Sequence, residues 1–173
     1  MPFSLHRPGY TVKPLFVEDA PIIQALYVDC TAFFELTHGL PPEPELAQKE
    51  FAVVPEGKTT GDRFSLGLFN DQSHLVGLIE AMRHYPKLQT WWIGLFLIHP
   101  DHRKRRLGRS FYQAFEQWIF DQGAQQVALV VIAANTVGFQ FWQKLGFAVI
   151  EQRSSQSYGR RKHCVWVMGR AIA

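Results

Sequence analysis

The sequence predicts one α/β domain, built as a mixed sheet with helices on both faces. Its 173 residues, 47% of them apolar and 19% charged, suit a single globular core. The first half alternates in hydrophobicity like hairpin strands, and the second half follows the order strand, helix, strand, helix. Hairpin strands are antiparallel, whereas a strand-helix-strand unit joins parallel strands, so the two halves together predict a mixed sheet.

The segment before residue 63 predicts one strand and two helices. Residues 10–16 form the short strand. Apolar residues recur at helical spacing from Ile22 to Phe34 and predict one continuous helix that frays near residue 38. A shorter helix is predicted at 45–53, because Pro55 prevents its continuation.

Residues 63–98 predict three neighbouring strands. Residues 63–69 and 74–82 alternate with a period of two and read as a hairpin. Glu80 is the one acid within its strand, which is otherwise apolar. The run 91–98 is apolar on both faces and predicts a central strand, in which Gly94 indicates a bulge or a close backbone approach.

The last third predicts two helices, a buried strand and a hairpin. An apolar stripe from Leu107 to Ile119 indicates the first helix, and Asn135 begins the second, which Gly146 ends. Residues 127–132 are the buried strand between them. The final hairpin is predicted as two strands and a polar loop: 147–150, 163–168, and the loop 152–162.

Composition excludes several classes of protein. Two cysteines, Cys30 and Cys164, cannot build a disulfide framework or a metal site, and both are predicted to be buried free thiols in a reducing compartment. Residues 1–10 lack the apolar run of a signal peptide, and no segment reaches the roughly 20 apolar residues of a membrane span. We therefore expect a cytoplasmic protein with no membrane partner and no metal.

A basic turn joins the central strand to the helix that follows it. Residues 100–110 read PDHRKRRLGRS. A helix start carries unpaired N–H groups and the positive end of the helix dipole, which suit a phosphate. Five cations surround this position, and Gly108 permits close approach. The cations are Arg103, Lys104, Arg105, Arg106 and Arg109. The turn is predicted to bind an anion, the alternative being a solvated basic loop.

Two segments resemble motifs of the GCN5-related N-acetyltransferase (GNAT) family. The basic turn is similar to the pattern Arg/Gln-x-x-Gly-x-Gly/Ala, with Arg103 first and Arg106 in place of the first glycine. That replacement implies either a backbone open to non-glycine residues at 106 or a displaced loop. Residues 135–147, NTVGFQFWQKLGF, resemble Asn-x-x-Ala-x-x-Phe-Tyr/Trp-x-x-x-Gly-Phe, with Gly138 in place of the alanine.

The resemblance implies the GNAT acyl-CoA N-acyltransferase fold over residues 1–173, with a mostly antiparallel sheet that splays at the cofactor cleft. It also implies acetyl-CoA as cosubstrate and donor. The pantetheine arm would pair with the backbone of one strand, where an N–H near Leu97 or Ile98 would face the thioester oxygen. Residues 103–110 would hold the pyrophosphate. The full set of implied donor contacts is Phe96, Leu97, Ile98, Arg103, Lys104, Arg105, Arg106, Leu107, Gly108, Arg109, Ser110, Asn135, Phe141 and Trp142.

Direct transfer to an amine needs a base, because only a neutral amine attacks a thioester. Glu80 is the candidate, since desolvation within an apolar strand raises the pKa of a carboxyl group. His84 and His99 are weaker candidates. The family often has a tyrosine acid where this chain has Trp142, and Tyr158 or Tyr112 could substitute for it.

The acceptor stays open between small-molecule amines, including antibiotics and polyamines, and protein or peptide amines. Aromatic and polar residues could line its cleft or simply pack: Phe33, Phe34, Glu35, His38, Tyr85, Trp91 and Trp92. Two other functions compete with catalysis. One is a non-catalytic CoA-binding sensor or interaction module, and the other is a nucleic-acid binder, which the net charge of +3 does not favour. We also allow for a homodimer.

Overall fold

The computed structural model describes Leu5 and residues 7–172, and its centre is a seven-stranded sheet. The strands are β1 (Tyr10–Pro14), β2 (Arg63–Asn70), β3 (Leu75–Arg83), β4 (Thr90–Ile98), β5 (Gln126–Ile132), β6 (Ala148–Tyr158) and β7 (Arg161–Ala171). Their spatial order is β1-β2-β3-β4-β5-β7-β6. The pair β4–β5 is parallel and the other neighbouring pairs are antiparallel, which confirms the mixed, mostly antiparallel sheet.

Helices cover both faces of the sheet, as predicted. They are α1 (Ala20–Asp29), α2 (Thr31–His38), α3 (Leu46–Glu50), α4 (Leu107–Phe120) and α5 (Thr136–Lys144). One core lies under α4 and α5 and includes Trp91, Phe111 and Phe115. A second core lies under α1, α2 and α3, where Tyr27 and Leu97 are buried.

The parallel pair is short, and its end opens the sheet. Residues Thr90 to Ile93 of β4 pair with Gln126 to Leu129 of β5, and the pairing stops there. Beyond this point β4 continues beside β3, while β5 continues beside β7. Gly94 is the extra residue of a bulge, since Glu80 pairs with Leu95 and Ala81 already pairs with Ile93. The predicted splay therefore begins at the predicted bulge.

The final hairpin is longer than predicted. The polar segment 152–162 is not a loop, because β6 runs to Tyr158 and β7 begins at Arg161. Every residue of β6 before Tyr158 is exposed, so this edge strand has no buried face to mark it in the sequence. The tip of the hairpin reaches α2, where the Arg160 N–H donates to the His38 carbonyl at 2.9 Å.

Two helix predictions and one cysteine prediction were wrong. The first helix is two helices, which meet at Cys30, where the Thr31 hydroxyl donates to the Val28 carbonyl. The helix predicted at 45–53 is helical only over Leu46–Glu50. Cys30 is buried, but Cys164 is exposed, because it lies on the outward face of β7.

Two adjacent tryptophans on β4 test the assignment of the faces. Trp91 is fully buried, with its ring centroid 5.0 Å from Phe64 and 5.5 Å from Trp118. Trp92 points to the other face and is only half-buried. We expect Trp91→Ala to lower the free energy of unfolding by about 3–5 kcal/mol through cavity formation. Trp92→Ala is expected to lower it by about 1 kcal/mol. Urea denaturation of both variants measures the difference, and equal losses would contradict the assignment.

Candidate active site

The opening between β4 and β5 presents the backbone of alternate β4 residues. The His99 N–H donates to the Val76 carbonyl at 2.8 Å, which makes these two residues a hydrogen-bonded antiparallel pair. Backbone direction alternates along a strand, so Leu97 directs its N–H and C=O to β3, while Phe96 and Ile98 direct theirs to the opening. Of the three residues predicted to meet a pantetheine arm, Phe96 and Ile98 have the required direction and Leu97 does not.

The start of α4 lies at the end of this opening and offers free backbone donors. The N–H groups of Leu107, Gly108 and Arg109 precede the first hydrogen bond of the helix, which Ser110 donates to the Arg106 carbonyl. Within the described residues no side chain caps them. The side chains of Lys104, Arg105, Arg106 and Arg109 are exposed around these donors. This combination fits a pyrophosphate.

The backbone at Arg106 is left-handed, a conformation that glycine adopts without strain. Its φ is 58° and its ψ 12°, in the left-handed region that favours glycine, and Lys104 has a φ of 60°. Of the two explanations offered for Arg106, this geometry fits the first, because the left-handed α region is open to non-glycine residues at some cost in energy. Arg106 therefore adopts a backbone conformation that glycine would adopt more easily, and the strain costs about 1 kcal/mol of stability.

Arg103 turns back onto the strand that precedes it. Its Nε donates to the Ile98 carbonyl at 2.8 Å, and its Nη2 lies 3.7 Å from Cys30 Sγ. The guanidinium thus ties the basic turn to the end of β4 and to the end of α1. Arg103 is itself exposed, but because these contacts engage its guanidinium, its contribution to anion binding is predicted to be smaller than that of the other four cations of the turn.

An aromatic wall from α5 lines the other side of the opening. The Phe96 ring stacks on Phe141 with centroids 5.5 Å apart and meets Trp142 edge-on at 5.2 Å. A Cβ added at Gly108 would lie 3.4 Å from both Ile98 and Phe141, which is ordinary van der Waals contact, so the start of α4 lies close to this wall. Asn135 caps α5, because its Oδ1 accepts from the Gly138 N–H at 2.9 Å.

Glu80 lies on the opposite face of the sheet, in a pocket of about 190 Å³. Glu80 is only 8% exposed, and the rest of the pocket wall is largely apolar. The lining residues are Val53, Pro55, Arg63, Glu80, Ala81, Met82, Trp92 and Gly94. Gly94 is also the first β4 residue beyond the pairing with β5, so the pocket borders the opening of the sheet.

The charge state of Glu80 results from two opposed effects. Burial raises the pKa of this carboxyl, and the nearby Glu50 raises it further. The Arg63 guanidinium lowers it, with Nη2 at 2.9 Å from Glu80 Oε2. Burial is the larger effect, and the resulting pKa is about 7. A base that titrates there can accept a proton at neutral pH.

The other acid and base candidates are engaged elsewhere. His84 Nδ1 accepts from the Gln89 N–H at 3.1 Å, and His99 Nδ1 accepts from the Asp101 N–H at 3.2 Å. Tyr112 is fully buried and donates to Glu116, so it is a structural residue and the suggestion that it acts as an acid is wrong. Tyr158 is half-buried, and burial raises the pKa of its hydroxyl.

Some of the residues suggested for the acceptor cleft are buried in the cores, and others lie near the Glu80 pocket or the final hairpin. Trp91 and Phe34 are core residues, which removes them from a cleft. Trp92 packs edge-on against Tyr85 at 5.8 Å beside the Glu80 pocket. His38 contacts Tyr158 on the final hairpin, with ring centroids 6.1 Å apart.

Sequence reasoning missed Arg63, which the structure brings to Glu80. Arg63 marked the beginning of a strand and carried no other signal. Its link to Glu80 depends on the register of β2 and β3, in which Ser65 faces Glu80 and Arg63 faces Met82. A lone acid in an apolar strand does imply a buried cation somewhere, but it does not say which one.

Comparison with known proteins shows the family and the fold. The model of the family described as "Acetyltransferase (GNAT) family" matches residues 23–147. The chain belongs to the GNAT family. Membership implies an acyltransferase that uses an acyl-CoA. The uncharacterized N-acetyltransferase YdgE of Bacillus subtilis (strain 168) is 22% identical over 151 residues, which cover 84% of this chain and 96% of that protein.

Solved structures share the GNAT fold over nearly the whole chain. An acetyltransferase from Thermus thermophilus has a TM-score of 0.75 at 24% identity, covering 95% of this chain and 97% of the other. Spermidine N-acetyltransferase from Vibrio cholerae, solved with CoA and spermine, has a TM-score of 0.74 at 15% identity, covering 95% and 96%. At these identities the likeness shows the fold alone.

Two further observations concern the described part of the chain. No helix in it has the length and apolar character needed to cross a membrane. Over the same residues, no three His, Cys, Asp or Glu side chains gather into a group that could hold a metal ion.

The left-handed turn at Arg106 yields a stability prediction. We expect Arg106→Gly to raise the free energy of unfolding by about 1 kcal/mol, because glycine adopts a positive φ without strain. Arg105→Gly is the matched control, since Arg105 is not among the residues with positive φ. It should lower the free energy of unfolding by about 0.5–1 kcal/mol. Thermal denaturation measures the stability of both variants. A loss of stability in both would contradict the proposed backbone strain at Arg106.

Proposed function

We propose that this GNAT protein transfers an acetyl group from acetyl-CoA to a primary amine, with Glu80 as the general base. The observation that carries the proposal is the position of Glu80, buried on a pocket that borders the splay of β4 from β5. The pocket lies on the face opposite α4 and the aromatic wall, so donor and acceptor could approach the opening from different sides.

The donor would lie along the opening. The unpaired N–H groups at the start of α4 and the exposed cations of the basic turn suit its pyrophosphate. The N–H and C=O of Phe96 and the N–H of Ile98 would pair with the pantetheine arm, as a peptide adds to a sheet edge, whereas the Ile98 C=O already accepts from Arg103 Nε. An N–H from one of these two residues would stabilise the thioester oxygen as negative charge develops on it.

The reaction would then be a direct transfer. The amine nitrogen attacks the thioester carbonyl carbon, a C–N bond forms, and the C–S bond breaks. Glu80 receives the proton that the ammonium must lose, directly or through a water molecule. The nitrogen loses a second proton as the amide forms, and the departing CoA thiolate or water takes it up. The conjugate thiol has a pKa of about 8.5, so a strong acid is not required. Trp142 packs in the aromatic wall and takes no proton-transfer role.

The walls of the pocket favour a compact amine with one positive charge. Val53, Pro55, Met82 and Trp92 supply apolar contact. Glu80 is the one acid among the described lining residues, and Arg63 already balances its charge. A polyamine would therefore leave its additional ammonium groups unpaired, which is costly near a buried site.

The first test of this function is the removal of the base. Glu80→Gln keeps the shape of the side chain but cannot accept a proton, and we expect kcat to fall by about 10²–10⁴-fold. The wild-type kcat should rise with pH around a midpoint near 7, because only the carboxylate acts as a base. The variant should lack this rise. Thiol release from acetyl-CoA over a library of amines measures both effects, and calorimetry should show unchanged acetyl-CoA affinity.

Glu116→Gln is the matched control. This acid accepts from Tyr112 and contacts Arg170 at 3.2 Å, away from the Glu80 pocket. We expect it to retain a wild-type kcat and pH profile. If Glu80→Gln retained full turnover at every pH, the base assignment would fail. If acetyl-CoA bound but no amine released thiol, a non-catalytic CoA-binding module would be favoured instead, and absence of binding would exclude both functions.

The acceptor prediction compares two amines. We expect kcat/KM for benzylamine to exceed that for spermidine by about tenfold or more, which corresponds to about 1.4 kcal/mol of differential binding. Trp92→Ala removes an apolar wall and should reduce the preference. Initial rates of thiol release at several concentrations of each amine measure it. A preference for spermidine would contradict the proposed pocket chemistry.

A further inference from the structure

We propose that Arg63 is a positioning residue for Glu80, which holds its carboxylate at the pocket and sets the pH range in which it accepts a proton. The inference rests on the proposed function, because it assumes that Glu80 is the base. It concerns a residue whose importance depends on strand register and on contacts with three elements.

The register of the sheet places Arg63 and Glu80 on one face. Ser65 pairs with Glu80 and Arg63 pairs with Met82, so Arg63 is the diagonal neighbour of Glu80 across β2 and β3. Diagonal neighbours on one face are within reach of long side chains. The Arg63 side chain is 12% exposed and that of Glu80 10% exposed, so the pair is shielded from solvent.

Contacts with the segment that follows α3 fix the guanidinium independently of Glu80. Arg63 Nη1 donates to the carbonyls of Glu50 and Val53, and the Arg63 guanidinium lies 5.6 Å from the centroid of the Phe51 ring. Nη2 then lies against Glu80. The cation is therefore held in place by the backbone, and Glu80 is oriented against a fixed charge.

The same contacts make Arg63 part of the pocket wall. Val53 lines the pocket and accepts from Arg63, and Pro55 lies two residues further along. No regular helix continues past Glu50. The guanidinium therefore gives the Val53 carbonyl a donor and gives the Glu50 carbonyl a second one, beside the Val53 N–H. Loss of Arg63 should therefore loosen the wall as well as the base.

The ion pair leaves the carboxylate able to act. Arg63 Nη2 lies 2.9 Å from Glu80 Oε2, but its N–H bonds are not aligned with this oxygen for a hydrogen bond. Within the described residues, Arg63 Nε also has no acceptor. Arg63 therefore acts on Glu80 mainly by charge. The lone pairs of the carboxylate that point into the pocket are available to an ammonium group or a water molecule.

The other groups that face Glu80 do not stabilise its charge. Glu50 opposes it, and the Glu50 carboxylate accepts from the Tyr27 hydroxyl at 2.8 Å. Burial and the charges of Glu80 and Glu50 raise the pKa of Tyr27, which stays protonated. From β4, the facing residues are Gly94 and Leu95, which do not titrate. Arg63 is the one cation in contact with Glu80 in the described part of the chain.

The experiment measures kcat against pH for Arg63→Met, Arg63→Lys and the control Arg83→Met. Arg83 contacts other groups than Glu80, since its guanidinium lies 5.7 Å from the Phe64 ring and 3.8 Å from Asp62. Without the Arg63 charge, burial and Glu50 act unopposed, so the rise of kcat should move up by about 1–3 pH units. Because the wild-type pKa is about 7, the carboxylate fraction at pH 7 should fall by about 5- to 500-fold, and the loss of kcat should shrink as the pH is raised.

The two other variants separate charge from structure. Arg63→Lys keeps the charge but cannot satisfy both carbonyls, so its profile should move less than that of Arg63→Met. Arg83→Met should keep the wild-type profile. A loss of kcat in Arg63→Met that is the same at every pH would indicate a purely structural role and overturn the proposal.

A direct titration keeps this inference distinct from the proposed function. With ¹³C-carboxyl-labelled glutamate, NMR follows Glu80 in the free protein, and Glu80→Gln assigns its signal. We expect the Glu80 midpoint to rise in Arg63→Met and to stay unchanged in Arg83→Met. An unchanged midpoint in Arg63→Met would overturn the inference. Failure of the wild type to release thiol with any amine would instead refute the proposed function, whatever the titration showed.

Discussion

The site depends on the separation of β4 from β5 after Ile93. Four residue pairs hold the two strands in parallel, and the bulge at Gly94 then lets β4 follow β3 while β5 follows β7. This single change of partner leaves the Phe96 backbone and the Ile98 N–H without a partner strand on the β5 side. It also directs the end of β4 to the start of α4 and leaves Gly94 on the wall of the Glu80 pocket. An anion site, an unpaired strand edge and a buried acid therefore meet because one sheet opens.

The pKa of the Glu80 carboxyl results from opposed effects of burial and of the Arg63 charge. Burial alone would hold Glu80 protonated at neutral pH, and a fully aligned ion pair in water would hold it ionised. Arg63, fixed by the carbonyls of Glu50 and Val53, offsets part of the burial effect and leaves the pKa of Glu80 near 7. The balance needs three elements, since β2 supplies the cation, β3 the acid and the segment after α3 the anchor.

The basic turn combines two demands on one backbone. A glycine at 106 would relieve the strain of the left-handed conformation, whereas an arginine there adds a cation beside the free N–H groups of α4. Lys104 shows the same combination, with a φ of 60°. A strained backbone at a binding site is a common result of such a compromise, because electrostatic gain in the complex offsets about 1 kcal/mol of strain.

Periodicity and contiguous motifs predicted the fold class, the family and most strand and helix positions, and they also predicted an anion site at the basic turn. The sequence indicated Glu80 as well, because an acid in an apolar strand is conspicuous. Contacts between partners distant in sequence became visible only in three dimensions. The register of β2 and β3 places Arg63 beside Glu80. Pairing with β7 extends β6 through a polar segment that carries no strand signal. The two faces of the sheet bury Trp91 and leave Trp92 on the pocket wall. Such contacts leave no periodic trace in the chain, because each is set by where another strand lies.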